Sequence, residues 1–203
     1  MLYNLEKELN HRCYYHGTTT AGITKLQADP IVYLTPIRTY ALFYIIDKSI
    51  NWVTCAVKED GTVYYEERFP NQLKKLYSGK SGYIHKCNYK ESFTSGKSRG
   101  IVVSRSPIDV IDFEFIPEVY QEILNYEKTG AVVVKRYEDL SDTEKEDVFD
   151  MMVNYIYKNN LLEAKGPKAT FVRESFPDLW AYAAAHVGEK SRIMEEWKKR
   201  MEK

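Results

Sequence analysis

The stretch CYYHGTTTAGI, residues 13–23, decides how the fold of this chain is interpreted. A strand is predicted over 13–16, which ends on His16, and Gly17 follows immediately. A histidine in a strand is usually structural, so His16 alone indicates little. Gly17 changes this, because a residue without a Cβ lets a ligand approach the backbone N–H and C=O. An imidazole beside such an open backbone edge can hold a planar amide or a ribose hydroxyl.

The second informative stretch is VYLTPIRTYALFY, residues 32–44, which predicts a strand that ends at Thr35 and a helix over 37–46. Before it, the threonines at 18–20 predict a capped short helix over 21–26. Aromatic residues in such a β–α unit usually belong to the core. Tyr33 and Tyr44 are therefore informative as a pair rather than singly.

Taken together, residues 16–44 resemble the NAD-binding half of the PARP-like, or diphtheria-toxin-like, ADP-ribosyltransferases. That family has a strand ending in His-Gly-Ser/Thr, then a Gly-Ile step, here Gly22-Ile23. A second strand carries a tyrosine, here Tyr33, and the next helix has another tyrosine eleven positions later, here Tyr44. The resemblance implies an α+β fold: an ADP-ribosyltransferase-like split antiparallel β-sheet core with flanking helices and a helical C-terminal extension.

The same resemblance implies a site for NAD as substrate. His16 would bind the adenosine ribose, and the Gly17 backbone would hold the nicotinamide carboxamide. Tyr33 and Tyr44 would flank the nicotinamide ring, with Thr18 near the same pocket. A nucleophile would displace nicotinamide through an oxocarbenium-like state, which aromatic faces and oriented dipoles stabilise, so His16 and Tyr33 are the candidate catalytic residues. Arg38 is one helical turn away and would meet the pyrophosphate, although a surface position suits it equally.

The chain departs from the family at its third motif, a glutamate that opens a later strand and grips the nicotinamide ribose. The matching stretch is SRGIVVSRSPIDV, residues 98–110, where Arg99 or Gly100 stands in place of the glutamate. Glu91 in the preceding loop, or the pair Glu66-Glu67, would have to deliver a carboxylate from elsewhere. A second departure is Ala41, where many PARPs carry a serine.

Three functions follow as alternatives. The first is NAD-dependent transfer of a single ADP-ribose to a macromolecule, protein or nucleic acid, as in toxins and defence or regulatory proteins of the family. The second is a catalytically silent nucleotide- or nucleic-acid-binding module on the same fold, which the missing glutamate favours. The third is a tRNA 2′-phosphotransferase-like enzyme, which needs several arginines where only Arg38 is obviously placed.

The composition of the chain limits which kinds of partner and metal site the sequence predicts. Among 203 residues, 29 basic side chains balance 29 acidic ones, so global charge gives no argument for nucleic acid or membrane binding. Three widely spaced cysteines without a CxxC predict neither a metal site nor a disulfide framework, and His85 with Cys87 reads as a packed pair. No segment has the length and apolar content of a signal peptide or membrane span, which predicts a cytoplasmic protein. The oligomeric state stays open.

The organisation along the chain predicts an α+β domain over 1–140 and a helical C-terminal extension over 141–203 packed on it; the resemblance implies that the first domain is ADP-ribosyltransferase-like. Asp60-Gly61 between two alternating stretches predicts a β-hairpin. Ser141 and Glu144 have the spacing of a capping box at the start of the first helix of the extension. A short helix is also expected over 2–10.

Overall fold

The structure, a computed structural model, describes residues 13–50 and 52–201. Its architecture is mixed α+β, with seven α-helices and several small, mostly antiparallel sheets among these residues. The α+β class expected from the sequence is therefore confirmed, whereas the ADP-ribosyltransferase assignment stays a prediction. The helix expected over 2–10 lies outside the described residues.

The described residues form two compact units. The first comprises 13–47, 52–67 and 71–135, and the second comprises 48–50, 68–70 and 136–201. The sequence predicted a boundary after residue 140, without the two short segments, 48–50 and 68–70, that belong to the second unit.

The first unit contains every strand and three helices. Its strands are β1 (Cys13–Thr18), β2 (Lys25–Leu26), β3 (Val32–Leu34), β4 (Cys55–Val57), β5 (Val63–Glu66), β6 (Gly82–Asn88), β7 (Thr94–Ser95), β8 (Val102–Ser104), β9 (Ile108–Asp109), β10 (Asp112–Ile116) and β11 (Val132–Lys135). Its helices are α1 (Arg38–Leu42), α2 (Gln72–Tyr77) and α3 (Val119–Lys128).

Two three-stranded antiparallel sheets meet at one point. In the first, β6 lies between β1 and β10, and in the second, β8 lies between β3 and β7. Among the described residues one isolated bridge joins them, in which the Tyr15 N–H donates to the Thr35 carbonyl at 2.8 Å and the Thr35 N–H donates to the Tyr15 carbonyl at 3.0 Å. The sheets separate beyond this bridge. A third sheet has the order β11-β5-β4, and β2 pairs with β9.

The two faces of the sheet β1-β6-β10 have different neighbours. On one face, Tyr14 belongs to an apolar cluster that also draws on the second sheet. Its eight buried members are Tyr14, Leu26, Val32, Leu34, Cys87, Phe93, Val102 and Ile108. The opposite face receives α1 and the turn after it, where Ile45 packs against Gly17 and Gly82.

Gly17 is required for this packing. A Cβ built on Gly17 would lie 1.9 Å from the Ala41 carbonyl oxygen, which is backbone and cannot rotate away. Gly82 is similarly close to its neighbours, since its Cβ would lie 2.3 Å from Ile45 Cγ2. The glycine after His16 therefore brings the backbone of α1 into direct contact with β1.

The helix expected over 21–26 is wrong. Gly22 adopts a left-handed conformation with φ +69°, and Lys25–Leu26 pairs with β9 instead. Thr18 does not cap a helix, because its hydroxyl accepts the Thr20 N–H in a tight turn at 3.1 Å. Six residues with a glycine at the second position have too few helical hydrogen bonds to offset the cost of nucleation.

Two other local predictions compare directly with the structure. The Asp60-Gly61 hairpin is confirmed, because β4 and β5 pair antiparallel and Gly61 supplies the positive φ, +89°, at the turn. The helix expected over 37–46 is shorter, since α1 ends at Leu42. The chain continues beyond it in tight turns, with the Tyr44 N–H donating to Ala41 and the Ile45 N–H donating to Leu42.

The second unit is helical. After a 3₁₀ turn at Tyr137–Asp139 it contains α4 (Asp142–Lys158), α5 (Pro167–Ser175), α6 (Pro177–Ala185) and α7 (Lys190–Met201), with a second 3₁₀ turn at Val187–Glu189. The Tyr157 hydroxyl donates to the Ala183 carbonyl at 3.0 Å and so joins α4 to α6. Phe69 packs edge-on against Phe171 and Phe176. None of the described helices has both the length and the apolar character needed to cross a bilayer.

The predicted capping box at the start of α4 is confirmed. The Ser141 hydroxyl accepts the Glu144 N–H at 3.3 Å, and the Glu144 carboxylate accepts the Ser141 N–H at 3.0 Å. We expect Ser141→Ala to lower the free energy of unfolding by about 1 kcal/mol, because the Glu144 N–H at the helix start loses its acceptor. Urea unfolding followed by circular dichroism measures this.

The control for this prediction is Ser191→Ala. Ser191 is exposed in the first turn of α7, where alanine has a slightly higher helix propensity than serine. This variant is expected to be as stable as the parent chain. Equal stability of the Ser141→Ala variant would contradict the assigned role of the capping box.

Candidate functional site

The candidate site lies where β1 and β3 separate. If their pairing continued past Tyr15 and Thr35, Gly17 would face Tyr33 across the two strands. Instead, the His16 imidazole lies between them, with Nδ1 2.8 Å from the Tyr33 carbonyl oxygen. Because a carbonyl oxygen only accepts, the Nδ1–H donates this bond. His16 therefore stands at the point where the sheets split, with its ring orientation fixed by Tyr33.

The Gly17 backbone faces the same split. Tyr15 directs its N–H and C=O toward β3, as its two bonds to Thr35 show. In an extended strand, residues two positions apart direct their backbone groups to the same edge. The Gly17 N–H and C=O therefore point toward β3, away from Ile84, the residue paired with Gly17 on β6. This arrangement presents one donor and one acceptor side by side at the split.

Two tyrosines lie near this edge. Tyr33 is 53% exposed, because its side chain points away from the buried face of β3 formed by Val32 and Leu34. Tyr44 follows α1 and packs edge-to-face with Tyr40, with the ring centroids 5.5 Å apart. The Tyr33 phenol is close enough to raise the pKa of Tyr44 further, beyond the larger effect of burial. The structure thus brings together His16, Gly17, Tyr33 and Tyr44, which the sequence singled out.

Tyr44 belongs to a polar cluster with Cys55 and with Tyr40, which is buried. The Tyr44 hydroxyl and the Cys55 thiol are close enough to the Tyr40 hydroxyl to contribute to its raised pKa. Burial raises the pKa of Tyr40 and of Cys55 far above their ordinary values. Cys55 is therefore held as a neutral thiol, which makes it a poor nucleophile. Its place in this cluster was not found from the sequence, because β4 and the turn after α1 meet only in the fold.

Arg38, predicted to meet a pyrophosphate, has protein partners. Its guanidinium forms a two-pronged ion pair with Glu114, with Nε 2.9 Å from Oε2 and Nη2 2.6 Å from Oε1. Glu122 accepts two further bonds at 3.3 Å, and the Tyr126 hydroxyl contacts Nη1. Burial alone would lower the pKa of Arg38, but Glu114 and the other negative groups hold it above the usual value. The role toward pyrophosphate stays a prediction, and it requires that these carboxylates release the guanidinium.

This network gives a stability prediction. We expect Arg38→Gln to lower the free energy of unfolding by about 1–2 kcal/mol, because two partly shielded carboxylates lose their cation. Thermal or urea unfolding measures this. The matched control is Arg192→Gln, which removes exposed i,i+3 and i,i+4 pairs on α7 and should cost less than about 0.5 kcal/mol. An Arg38→Gln effect no larger than that of the control would contradict a structural role for the network.

Gly100 precedes β8, at the position where the resemblance predicts a glutamate. Gly100 has a left-handed φ of +77°, and a Cβ there would lie 2.7 Å from Val57 Cγ2. A glutamate at 100 would need both a strained backbone and displacement of Val57. The neighbouring Arg99 forms an ion pair with Glu59 at 3.5 Å. The packing around this strand start is therefore built for glycine.

Glu66, Glu67 and Glu91, which the sequence offered in place of this glutamate, lie in different surroundings. Glu67 is 2% exposed and accepts the Leu73 N–H at 2.8 Å, which holds it at the start of α2. Glu66 accepts the Tyr64 hydroxyl at 3.0 Å. Glu91 is exposed in a turn next to Lys90. The Lys90 ammonium group donates to the Pro107 carbonyl at 3.4 Å. Pro107 follows the end of β8, whereas Gly100 precedes its start. The structure does not bring Glu91 to the start of β8.

The remaining candidates are engaged in the fold. Thr18 is fully buried, with its hydroxyl in the turn to Thr20. His85 and Cys87 are buried on one face of β6, and burial raises the pKa of Cys87 to about 12. Within residues 13–50 and 52–201, no three histidine, cysteine or carboxylate side chains are grouped as a metal site would require.

The site therefore consists of an anchored imidazole, an open backbone edge and two tyrosines at a split between sheets. Such a constellation can hold a planar ligand that has both a donor and an acceptor on one edge. No protein-family model matches the chain, and neither a curated protein nor a solved structure matches it significantly.

Proposed function

We propose that the chain binds NAD at the split between β1 and β3 and transfers a single ADP-ribose to a macromolecular acceptor. The observation that supports this most is the backbone edge of Gly17. A primary carboxamide has one C=O and one NH₂ on the same edge, which match the N–H and C=O that Gly17 directs to the split. Nicotinamide has this group on a planar ring, which Tyr33 and Tyr44 would flank in the proposed complex.

His16 supports the other half of the substrate. Its imidazole is oriented by the Tyr33 carbonyl, one residue from the carboxamide edge. A ring held in this way can bond a ribose hydroxyl without losing further side-chain freedom. In the proposed reaction, nicotinamide leaves with the electron pair of its glycosidic bond. The acceptor nucleophile then forms a bond to the ribose carbon and loses its proton, while aromatic faces stabilise the positive charge between these events.

The experiment is incubation with NAD labelled in its ADP-ribose part and a cell lysate, with nicotinamide release measured in parallel. We expect label in macromolecules and nicotinamide in solution. His16→Ala should reduce both by about tenfold or more, the effect of one lost hydrogen bond to the ligand. The matched control, His186→Ala in the second unit, should leave both unchanged. No binding, no release and no label with the parent chain would refute the proposal.

A second candidate is a nucleotide-binding module without turnover. The conformation of Gly100 favours it, because the strand start excludes the glutamate that grips the ribose in the resembling family. Calorimetry with NAD beside the release assay separates the two: binding without nicotinamide release supports the module. The phosphotransferase alternative loses support, since Arg38, its one placed arginine, is paired with Glu114 and Glu122.

A further inference from the structure

The strand β10 carries exposed aromatic side chains at the edge of its sheet. It pairs with β6 on one side, and among the described residues no strand pairs with its other side, which we call the β10 edge. Phe113 is 60% exposed and Phe115 is 51% exposed. Their ring centroids lie 5.9 Å and 5.2 Å from that of Tyr83, on β6. A contiguous group of exposed aromatic rings is typical of an interaction surface.

The β10 edge also presents backbone groups at Phe113 and Phe115. Gly17 on β1 directs its N–H and C=O away from Ile84, its partner on β6, so Ile84 has its own N–H and C=O on the side of β10. Ile84 pairs there with Glu114. The residues on either side of Glu114 direct their backbone groups the opposite way, because these groups alternate along a strand. The N–H and C=O of Phe113 and Phe115 therefore point to the β10 edge.

Asp112 guards part of the β10 edge. Its carboxylate accepts the Phe113 N–H at 2.8 Å, so this donor is covered in the chain as it stands. The strand also begins irregularly, since the Ile111 N–H donates at 2.9 Å to the carbonyl of Lys86, the residue paired with Asp112. Two residues that face one form a β-bulge. Bulges and charged side chains at an edge prevent indiscriminate strand pairing, so the β10 edge is protected rather than simply exposed.

The second face of β10 is acidic. Asp112 and Glu114 lie on the face opposite the two phenylalanines, because side chains alternate along a strand. Arg38 pairs with Glu114 but is shared with Glu122, and Lys86 lies across from Asp112 on β6. The carboxylates of this face therefore outnumber the cations beside them in the described chain. Glu114 stays 52% exposed despite its ion pair, so its charge can act on a molecule at the β10 edge.

This charge disfavours two other occupants of the β10 edge. A second copy of the chain, paired antiparallel about Phe113, would set the Asp112 carboxylate of one copy opposite the Glu114 carboxylate of the other. Like charges directly opposite each other on paired strands are destabilising. The phosphates of a nucleic acid would meet the same carboxylates, without the excess of basic side chains that binds them. A strand that carries lysine or arginine would instead be attracted.

We propose that the β10 edge binds an extended segment of a partner protein, which joins the sheet as a further strand and has alternating apolar and basic side chains. Its apolar side chains would cover Phe113 and Phe115, and its basic side chains would face Asp112 and Glu114. In such complexes backbone hydrogen bonds supply affinity and alternate side chains supply specificity. On binding, the Asp112 carboxylate would release the Phe113 N–H to a carbonyl of the added strand and would pair with a cation instead.

The probe is a synthetic peptide of alternating lysine and valine, about eight residues long, which is enough for one strand. It is titrated into the full chain by calorimetry. We expect it to bind the parent chain and Phe113→Ser to weaken this binding by about tenfold or more, because the ring no longer covers the valines. Phe113 is exposed, so the substitution spares the core. Val133→Ser is the matched control, because Val133 is exposed on β11, an edge strand of another sheet, and this variant should bind like the parent.

Changes to the peptide test the mode of binding on the unaltered chain. Glutamate in place of every lysine should weaken binding by about tenfold or more, because carboxylates would then face Asp112 and Glu114. Two further peptides are methylated at every valine backbone nitrogen or at every lysine backbone nitrogen. One of them should lose binding and the other should keep it, because only one set of N–H groups faces β10. Unchanged binding of both methylated peptides would overturn the added strand.

Other outcomes would also overturn the proposal. These are no binding of the lysine–valine peptide, equal binding of its glutamate counterpart, and equal binding by Phe113→Ser and the parent. A single-stranded oligonucleotide that binds the parent but not Phe113→Ser would assign the β10 edge to nucleic acid. A dimer in analytical ultracentrifugation that Phe113→Ser dissociates would assign it to a second copy. None of these measurements involves NAD, so their results do not depend on the proposed function.

Discussion

Replacing Gly17 with alanine is expected to destabilise the first unit by about 3 kcal/mol or more. The new Cβ would lie 1.9 Å from the Ala41 oxygen, 3.0 Å from the Ala41 carbonyl carbon and 3.3 Å from Ile45 Cγ1. Two of these atoms are backbone, so relief requires α1 to move away from β1. Because Tyr44 follows directly on α1, the same movement would displace one wall of the candidate site.

Urea unfolding and NAD calorimetry on the Gly17→Ala variant measure the two consequences. Gly188→Ala, in the second 3₁₀ turn, is the matched control, since nothing lies within 4 Å of a Cβ there and the residue is not in the positive-φ region. The control should be at least as stable as the parent, because alanine fits this backbone and restricts the unfolded chain. A Gly17→Ala chain as stable as the control would show that the close approach of α1 to β1 is not a feature of the protein.

The second large effect concerns the carboxamide. We expect the chain to bind NAD at least about 100-fold more tightly than its nicotinic acid analogue, in which a carboxylate replaces the amide. The Gly17 C=O would lose the NH₂ that donates to it and would face a negatively charged oxygen instead. Sites that hydrogen-bond a substrate group discriminate strongly, because the protein partner is otherwise left unpaired.

The 3-acetylpyridine analogue of NAD is the intermediate case. It keeps the carbonyl that accepts from the Gly17 N–H and lacks the NH₂, so its affinity should fall by about tenfold, the cost of one lost hydrogen bond. Competition calorimetry ranks the three dinucleotides. Equal affinity for the amide and the acid would contradict the assignment of the Gly17 edge, whatever the total affinity for NAD.

Local features of this chain were predictable from sequence because their causes are local. The hairpin at Asp60-Gly61 needs only a turn with positive φ between two alternating strands. The capping box of Ser141 and Glu144 needs only two side chains three positions apart. Tyr33 and Tyr44 were singled out by their spacing in the family resemblance, and Tyr33 lies close enough to Tyr44 to affect its pKa.

The features that the sequence could not predict depend on contacts between residues that are far apart in the chain. Glu114 and Glu122 lie more than seventy residues after Arg38 in the sequence, so no local pattern predicts their contacts with it. The second role of Gly17, contact with the Ala41 backbone, is also invisible without the fold. The register of β6 against β10, which sets Phe113 beside His85, is likewise not determined by any local pattern. The helix wrongly expected over 21–26 failed because pairing with β9 decided that segment.

A crystal structure of the chain with NAD bound tests the central claim most directly. The account predicts the nicotinamide carboxamide within about 3 Å of the Gly17 N–H and C=O, between the rings of Tyr33 and Tyr44. NAD bound elsewhere on the chain, or a nicotinamide ring that leaves the Gly17 edge uncontacted, would contradict it.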